Sequence, residues 1–235
     1  MQSIEVLRPS QPMDCIGVVI ASRWLTPTIK SIRLELDRSD FCFLPGQSVW
    51  PKFERNGKTF SKIYSIASSP SRCPEIELCV SRVGWSSAFI QDLAVGETIA
   101  MRGPYGLMTL KQLPHRPRIY IAEGSGIAPL KSHIDWLREA GFRQSLWLVQ
   151  SNPETPDALP YWEEWRSLSQ RWPAFHYLEA VGVLPEVLLT RQGLNLSEFE
   201  IDICAVGDRT QQIQDVVLAT SARLSQVRTE EFFAF

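Results

Sequence analysis

Residues 122–129 read AEGSGIAP. The run before it, RIYIA (118–122), is β-branched and apolar. Gly124, Ser125 and Gly126 supply a tight turn, and Pro129 falls where the first helical turn belongs. The stretch is therefore a strand–turn–helix junction. Such a loop turns backbone N–H groups and the positive end of a helix toward a ligand, usually a phosphate. Glu123 places a carboxylate in that loop, and its charge has to be explained.

Working outward, the chain after residue 117 alternates strand and helix. RIYIA leads to a helix over 127–140, SLWLVQS to one near 160–171, and AFHYLEA to one near 183–191. IDICAV precedes a helix over 210–223, with a last short strand near 225–228. That alternation implies a doubly wound parallel sheet. Before residue 104 the pattern is different. CIGVVIASRWL, TIKSIRLELD, QSVWPKF, KTFSKIYSIAS, EIELCVSRV and ETIAMRG are six short β-rich runs between turn signals, with SSAFIQDL (86–93) helical among them. These runs predict an antiparallel β-barrel or sandwich, of which the barrel is taken forward. The fold class is thus α+β with two domains, an N-terminal antiparallel barrel followed by a doubly wound α/β domain, joined through LMTLKQLPHRPR (107–118). Ligands of open parallel sheets bind beyond the carboxyl ends of the strands, and with that edge facing the barrel a cleft between the domains is the expected site.

Composition narrows the chemistry. A chain of 235 residues with 44% apolar content and eight Trp can bury a substantial core. A net charge of −2 gives no reason to expect nucleic acid or an anionic membrane as partner. No apolar run reaches the roughly 18 residues of a membrane span, and MQSIEVLRPSQP lacks the order of a signal peptide. The expectation is a soluble, cytoplasmic protein. Five cysteines in no metal-ligand spacing and three scattered histidines make a metal site unexpected. The cysteines read as small buried apolar residues.

Several short motifs carry the functional reading. KIYS (62–65) puts a cation, an aromatic ring and a hydroxyl on neighbouring strand positions, suited to a phosphate, a flat ring and a ring nitrogen. GWSSAFI (84–90) is a glycine turn with two serines opening a helix, suited to a phosphate or simply an N-capped helix. RGPYG (102–106) ends a strand. FLPGQ (43–47), KIYSIAS (62–68), GWSSAFI, VGETIAMRGPYG (95–106) and IAEGSGIAP (121–129) occur in that order. In this order and spacing the chain resembles the ferredoxin–NAD(P) reductase superfamily of flavoproteins, and more narrowly its compact flavin-reductase and oxygenase-reductase members without an iron–sulfur domain.

The resemblance implies an FAD-binding barrel over 1–112 and an NAD(P)-binding α/β domain over 113–235. Tyr64 would pack against the isoalloxazine, and Ser65 would hydrogen-bond near its N5. Lys62 stands where the family has arginine and would hold the pyrophosphate as a point charge, without the bidentate fork. Ile63 belongs to the same flavin-facing run. The backbone at Val80 and Arg82 would follow the ribityl chain, and the turn of Gly84, Ser86 and Ser87 would receive the FAD phosphates. Gly124, Ser125 and Gly126 would cradle the nucleotide, with Gly207 and Asp208 at its nicotinamide end. EEFFAF (230–235) is similar to the family's terminal acid-x-aromatic signature. Glu231 would act with Ser65 at the flavin–nicotinamide contact, and Phe232 or Phe233 would cover the ring face. The implied activity is hydride transfer from NAD(P)H to flavin N5, with electrons passed to a ferredoxin, an oxygenase component, a haem protein or free flavin.

The nucleotide half departs from the family pattern. The family's first turn reads G-G-T-G or T-G-T-G, where this chain has E-G-S-G. Its C-G-P becomes V-G-D, with Val206 and Asp208 replacing cysteine and proline and Cys204 two residues early on the same side of the strand. An arginine is replaced near Ser151. A carboxylate ~6 Å from a phosphate costs about 1–3 kcal/mol at an effective dielectric near 20–40. The expectation is a preference for NADH, the dinucleotide without a 2′-phosphate, or weak use of either nucleotide. Glu123 could instead turn to solvent, to Arg118 or to Lys131. Two other readings stand beside this one: an FAD-binding electron-transfer or regulatory subunit with impaired NAD(P)H use, and an interaction module without flavin.

Overall fold

A computed structural model describes residues 7–152 and 155–232. The chain forms two compact units that are not contiguous in sequence. One holds residues through 24, 28–113 and 128–141, and the other holds 25–27, 114–127 and 142 onward. Among the described residues no helix is long and apolar enough to cross a membrane.

The first unit carries seven strands: β1 (Met13–Trp24), β2 (Ile29–Leu36), β3 (Ser48–Arg55), β4 (Lys58–Ser61), β5 (Tyr64–Ser65), β6 (Glu75–Ser81) and β7 (Thr98–Tyr105). They pair antiparallel in the order β4-β3-β7-β1-β2-β6, with β5 also on β3. An Ile66–Leu78 bridge and an Ala67 N–H to Glu77 carbonyl bond of 2.7 Å link the end of β5 to β6 and close the barrel. Period-2 burial drives this: Ile32, Leu34 and Leu36 of β2 point inward while Arg33 and Glu35 face out. With Val49, Phe53, Ile66 and Met101 they form one apolar core.

KTFSKIYSIAS is not the single strand its composition predicts. Lys52 pairs with Ser61 and Val49 with Tyr64, so one continuous register sets Pro51 opposite Lys62. Proline has no N–H to give the ladder, and pairing lapses at Lys62 and Ile63 before resuming at Tyr64. Helix α1 (Trp85–Asp92) packs on β6.

Helix α2 (Ile127–Glu139), the helix that follows the AEGSG turn, groups with the barrel from residue 128 onward. The Ser132 hydroxyl donates to the Ser68 carbonyl at 2.7 Å, and Glu139 accepts from the Ser69 and Ser71 hydroxyls. His133 is buried, its Nε2 at 3.2 Å from the Pro45 carbonyl and 3.1 Å from that of Met108. Gly46 of FLPGQ is what permits this approach. It has φ +89°, and a Cβ there would meet the Met108 carbonyl at 2.1 Å and His133 Nε2 at 2.5 Å.

The second unit is a five-stranded parallel sheet: β8 (Arg118–Glu123), β9 (Leu146–Asn152), β10 (Phe175–Val181), β11 (Glu200–Val206) and β12 (Val227–Phe232), ordered β10-β9-β8-β11-β12. Helices α3 (Trp162–Arg171), α4 (Pro185–Arg191) and α5 (Arg209–Leu218) connect them. Strand β8 is buried from residue 118 to 122, as expected of a strand covered on both faces. Two boundaries differ from expectation. Helix α5 stops at Leu218, where the Thr220 hydroxyl takes the Val217 carbonyl at 2.6 Å in place of another helical turn. The last strand runs on to Phe232 because β11 offers a parallel template, with Val206 beside Phe232.

At the amino-terminal side of this sheet lies a buried charge network. Asp202, fully buried, accepts from Arg118 Nη2 at 2.6 Å and from Arg228 Nε and Nη2 at 2.6 and 2.8 Å. Arg118 also donates to the Tyr120 hydroxyl at 3.1 Å. The phenol of Tyr120 is pushed up, first by burial.

Candidate functional site

In the barrel unit the structure brings two of the sequence motifs together. Tyr64 and Ser65 sit on β5, opposite Val49 and Ser48 of β3. Ser65 turns inward, its Oγ 3.4 Å from Ser48 Oγ. Tyr64 turns the other way and is half-buried, its ring 6.4 Å from that of Phe53. Its hydroxyl is hydrogen-bonded to Ser86, and burial raises its pKa. KIYS and GWSS are thus neighbours, which their separation in sequence does not require. Lys62 is half-buried and Ile63 is 62% exposed, both at the break in the ladder.

The turn before α1 is shaped by Ser87. Its hydroxyl accepts from the Val83 and Gly84 N–H groups, each at 3.0 Å, and donates to the Gly84 carbonyl at 2.9 Å. That saturates a hydroxyl, so Ser87 forms the turn and its side chain offers nothing to a phosphate. Helix geometry leaves the Trp85, Ser86 and Ser87 N–H groups without intrahelical partners, and these are the donors available there. The backbone of Val80 and Arg82 runs beside the segment from Thr28 to Lys30, with the Arg82 N–H donating to the Thr28 carbonyl at 3.0 Å. The Val80 carbonyl accepts from Gln91 Nε2 at 2.7 Å, and the Arg82 guanidinium holds Asp92 at 2.7 and 3.0 Å.

Two groups that sequence reasoning passed over hold this region in place. Gln91, 1% exposed, also donates from Nε2 to the Thr28 carbonyl at 3.0 Å, so it pins α1 to β6 and to the segment before β2. An aromatic cluster surrounds the start of α1. Trp85 meets Phe53 and Phe60 edge-on, each at 5.6 Å, and the Arg55 guanidinium lies 5.2 Å over the Trp85 ring.

In the second unit the AEGSG turn lies at the carboxyl ends of the two central strands. Glu123 ends β8 beside Ser151 of β9. Cys204 of β11 pairs with Ala122, and Val206 ends β11. The positions that depart from the family pattern therefore share one edge of one sheet. Gly126 passes so close to β11 that a Cβ would meet the Cys204 carbonyl at 2.4 Å; only glycine fits. Cys204 is fully buried there, its thiol pushed well up by burial, while Val206 on the same side of the strand is 37% exposed. Ser125 is half-buried. Gly207 and exposed Asp208 make the turn into α5, and Asp208 makes no side-chain capping bond.

Glu123 takes neither partner expected for it. Arg118 is held by Asp202, and Lys131 by Asp135 at 2.7 Å and Glu77 at 3.4 Å. The Glu123 carboxylate instead accepts from Arg209 Nη2 at 3.1 Å and Nε at 3.3 Å. Arg209 opens α5, 86 residues along the chain. Phe232 is half-buried and Glu231 exposed on edge strand β12, beside Val206 and Ala205. Phe233 lies outside the described residues.

Comparison with known proteins agrees with this arrangement. Residues 18–110 match the oxidoreductase FAD-binding domain family. The phenol hydroxylase P5 protein of Acinetobacter pittii is 33% identical over 171 residues, which is 72% of this chain and 47% of that protein. Ferredoxin–NADP reductase B of Sorangium cellulosum is 33% identical over 134 residues, 56% of this chain and 55% of that one. The chain is similar to members of the ferredoxin–NAD(P) reductase superfamily. It spans about half the length of these curated relatives. Two solved structures share the fold at 17% identity. They are the FAD/NAD-binding domain of nitric oxide dioxygenase from Vibrio cholerae and a ferredoxin NADP+ reductase from Neisseria gonorrhoeae with bound FAD and NADP. Their TM-scores are 0.82, covering 93% of this chain and 98% of that one, and 0.77, covering 94% and 99%. The shared fold is an antiparallel barrel followed by a parallel sheet.

Proposed function

We propose that this chain is an FAD-dependent oxidoreductase that takes reducing equivalents from NADH in preference to NADPH and passes them to a separate acceptor. FAD, when bound, supplies a hydride acceptor that can release its electrons onward. Residues 1–112 are the proposed FAD-binding part and 113–235 the nucleotide-binding part. The observation that carries the flavin assignment is the contact of Tyr64 with Ser86 where the barrel closes, which sets KIYS beside GWSS. There an aromatic ring stands beside an open helical first turn, with Lys62 two residues before the ring and the buried Ser65 hydroxyl following it on the inner face of β5. These are the groups that a flat ring and its phosphates need.

The residues then divide the work. Tyr64 offers a ring face, and Ser65 a hydroxyl held near Ser48. Ser87 fixes the turn so that the Trp85 and Ser86 N–H groups stay open to an anion. Gly124 to Gly126 supply the second anion-binding turn, with Gly207 and Asp208 beyond it. Glu231, Phe232 and Phe233 are the proposed cover at the reacting rings. The NADH preference rests on Ser151, which puts no cation at the end of β9. Glu123 no longer contributes to it, because Arg209 neutralises its charge.

The acceptor is proposed to be a protein or small-molecule electron acceptor of the class served by the relatives named as reductase components. The experiment is the absorbance spectrum of the purified protein, followed by turnover with ferricyanide under NADH or NADPH. Flavin bands, FAD on release, and a higher kcat/KM with NADH support the proposal. A colourless protein that cannot be loaded with FAD, or a clear NADPH preference, contradicts the part concerned.

A further inference from the structure

The Glu123–Arg209 pair spans the point where the sheet's winding reverses. From β8 the chain steps outward to β9 and β10, then returns to lay β11 and β12 on the other side of β8. The crevice between the carboxyl ends of β8 and β11 is therefore the switch point, where doubly wound sheets bind ligands. Glu123 is the last residue of β8, and Arg209 is the first residue of the helix that follows β11.

The pair does not serve the helix. A cation in the first turn of α5 opposes the helix dipole, which favours an anion there. It is also not a loose surface contact, since the Glu123 side chain is only 14% exposed. A carboxylate buried to that degree requires a partner. Arg209 is oriented from two sides. Nε and Nη2 donate to Glu123 Oε1, and Nη1 donates to Gln212 Oε1 at 3.0 Å. A guanidinium has five N–H donors, so among the described residues one on Nη1 and one on Nη2 are left over. The side chain is 36% exposed, and these donors stand at the switch point beside the Gly124–Gly126 turn.

We infer that Arg209 is a phosphate-binding residue of the dinucleotide site and that Glu123 is its positioning residue. The inference rests on the nucleotide reading above and deepens it. It reverses the sign expected of Glu123 from sequence. A carboxylate that merely faced the phosphates would weaken binding, whereas one that holds an arginine in place strengthens it. The ligand chemistry is a pyrophosphate diester, shared by NADH and by ADP-ribose.

The test measures dissociation constants for NAD+ and ADP-ribose on the FAD-loaded protein, for the parent, Glu123→Gln, Arg209→Gln, Arg209→Lys and the double glutamine variant. Flavin absorbance and melting temperature check the fold. Arg209→Gln should weaken both ligands about tenfold or more, as expected for a lost charge-assisted bond. Glu123→Gln should weaken them about three- to fivefold, and the double variant should be no worse than Arg209→Gln alone. Arg209→Lys should recover part of the loss. Flavin reduction by N-benzyl-1,4-dihydronicotinamide, a donor with no phosphate, should be unchanged in every variant, which a general disturbance of the fold would not allow. Tighter or unchanged binding in Glu123→Gln, or unchanged binding in Arg209→Gln, overturns the inference while leaving the nucleotide reading intact. A parent protein that binds neither ligand overturns both.

Discussion

Gln91→Ala tests how the candidate flavin subsite is built. Gln91 is buried, and its Nε2 satisfies two carbonyls, Thr28 at 3.0 Å and Val80 at 2.7 Å. Each such bond contributes a net ~0.5–1.5 kcal/mol, and orphaned buried carbonyls add to the loss. The expected destabilisation is therefore about 2–4 kcal/mol. It acts on α1, whose first turn carries the proposed phosphate donors. The Lys30 ammonium still holds the Gln91 carbonyl at 2.6 Å, so the far end of the helix stays tethered and the loosening is concentrated on packing against β6. If 1–2 kcal/mol of the loss falls on helix placement, FAD affinity drops roughly 5- to 30-fold. Urea unfolding with an unchanged m-value gives the first quantity, and flavin fluorescence on titration gives the second. Gln91→Met, which keeps the volume and removes the bonds, should behave alike. Stability within 0.5 kcal/mol of the parent and equal FAD affinity in both variants would refute the reasoning.

Other expectations follow from the same geometry. Asp202→Asn leaves the buried Arg118 guanidinium without its carboxylate and should cost about 3–5 kcal/mol in urea unfolding; a cost below 1 kcal/mol contradicts the network's role. Glu75 is held below the usual carboxylate range, first by the Arg33 hydrogen bonds and also by Arg72. Its contribution is complete above its unfolded pKa of about 4.3 and is lost as pH falls through the lower folded value. The urea-midpoint gap between the parent and Glu75→Gln should therefore shrink on acidification from pH 7 to below pH 4, and a constant gap would count against it. Burial pushes the Cys15 thiol up to about 11 and that of Cys73 up to about 12, and holds that of Cys204 well above the ordinary thiol range. With Cys79 buried and Cys42 exposed, a disulfide reagent at pH 8 should titrate one fast thiol per native chain, lost in Cys42→Ser. Several equally fast thiols would contradict this.

What could be read from sequence depended on how local the cause was. The parallel sheet was legible because its strands are short apolar runs that alternate with helices, and AEGSGIAP carries its own turn chemistry. The barrel was legible through alternation, as in Ile32, Leu34 and Leu36. The lapse within KTFSKIYSIAS was not, because it is set by Pro51 on the neighbouring strand. The extension of β12 likewise needs β11 beside it. Cys42, expected to be buried, lies exposed. At the candidate site, Tyr64, Ser65 and Ser86 were legible as motif members, but the contact of Tyr64 with Ser86 is tertiary. Gln91 looks like any polar residue on a helix until its carbonyl partners are known. Glu123 showed its charge in the sequence and not its partner, since Arg209 reaches it only through the pairing of β8 with β11.

The measurement that bears most directly on the whole account is anaerobic mixing of the FAD-loaded protein with NADH in a stopped-flow spectrophotometer. The account predicts rapid bleaching of the flavin absorbance, slower with NADPH at equal concentration, and recovery on adding an electron acceptor. A flavin that stays oxidised over minutes with both nucleotides would contradict it.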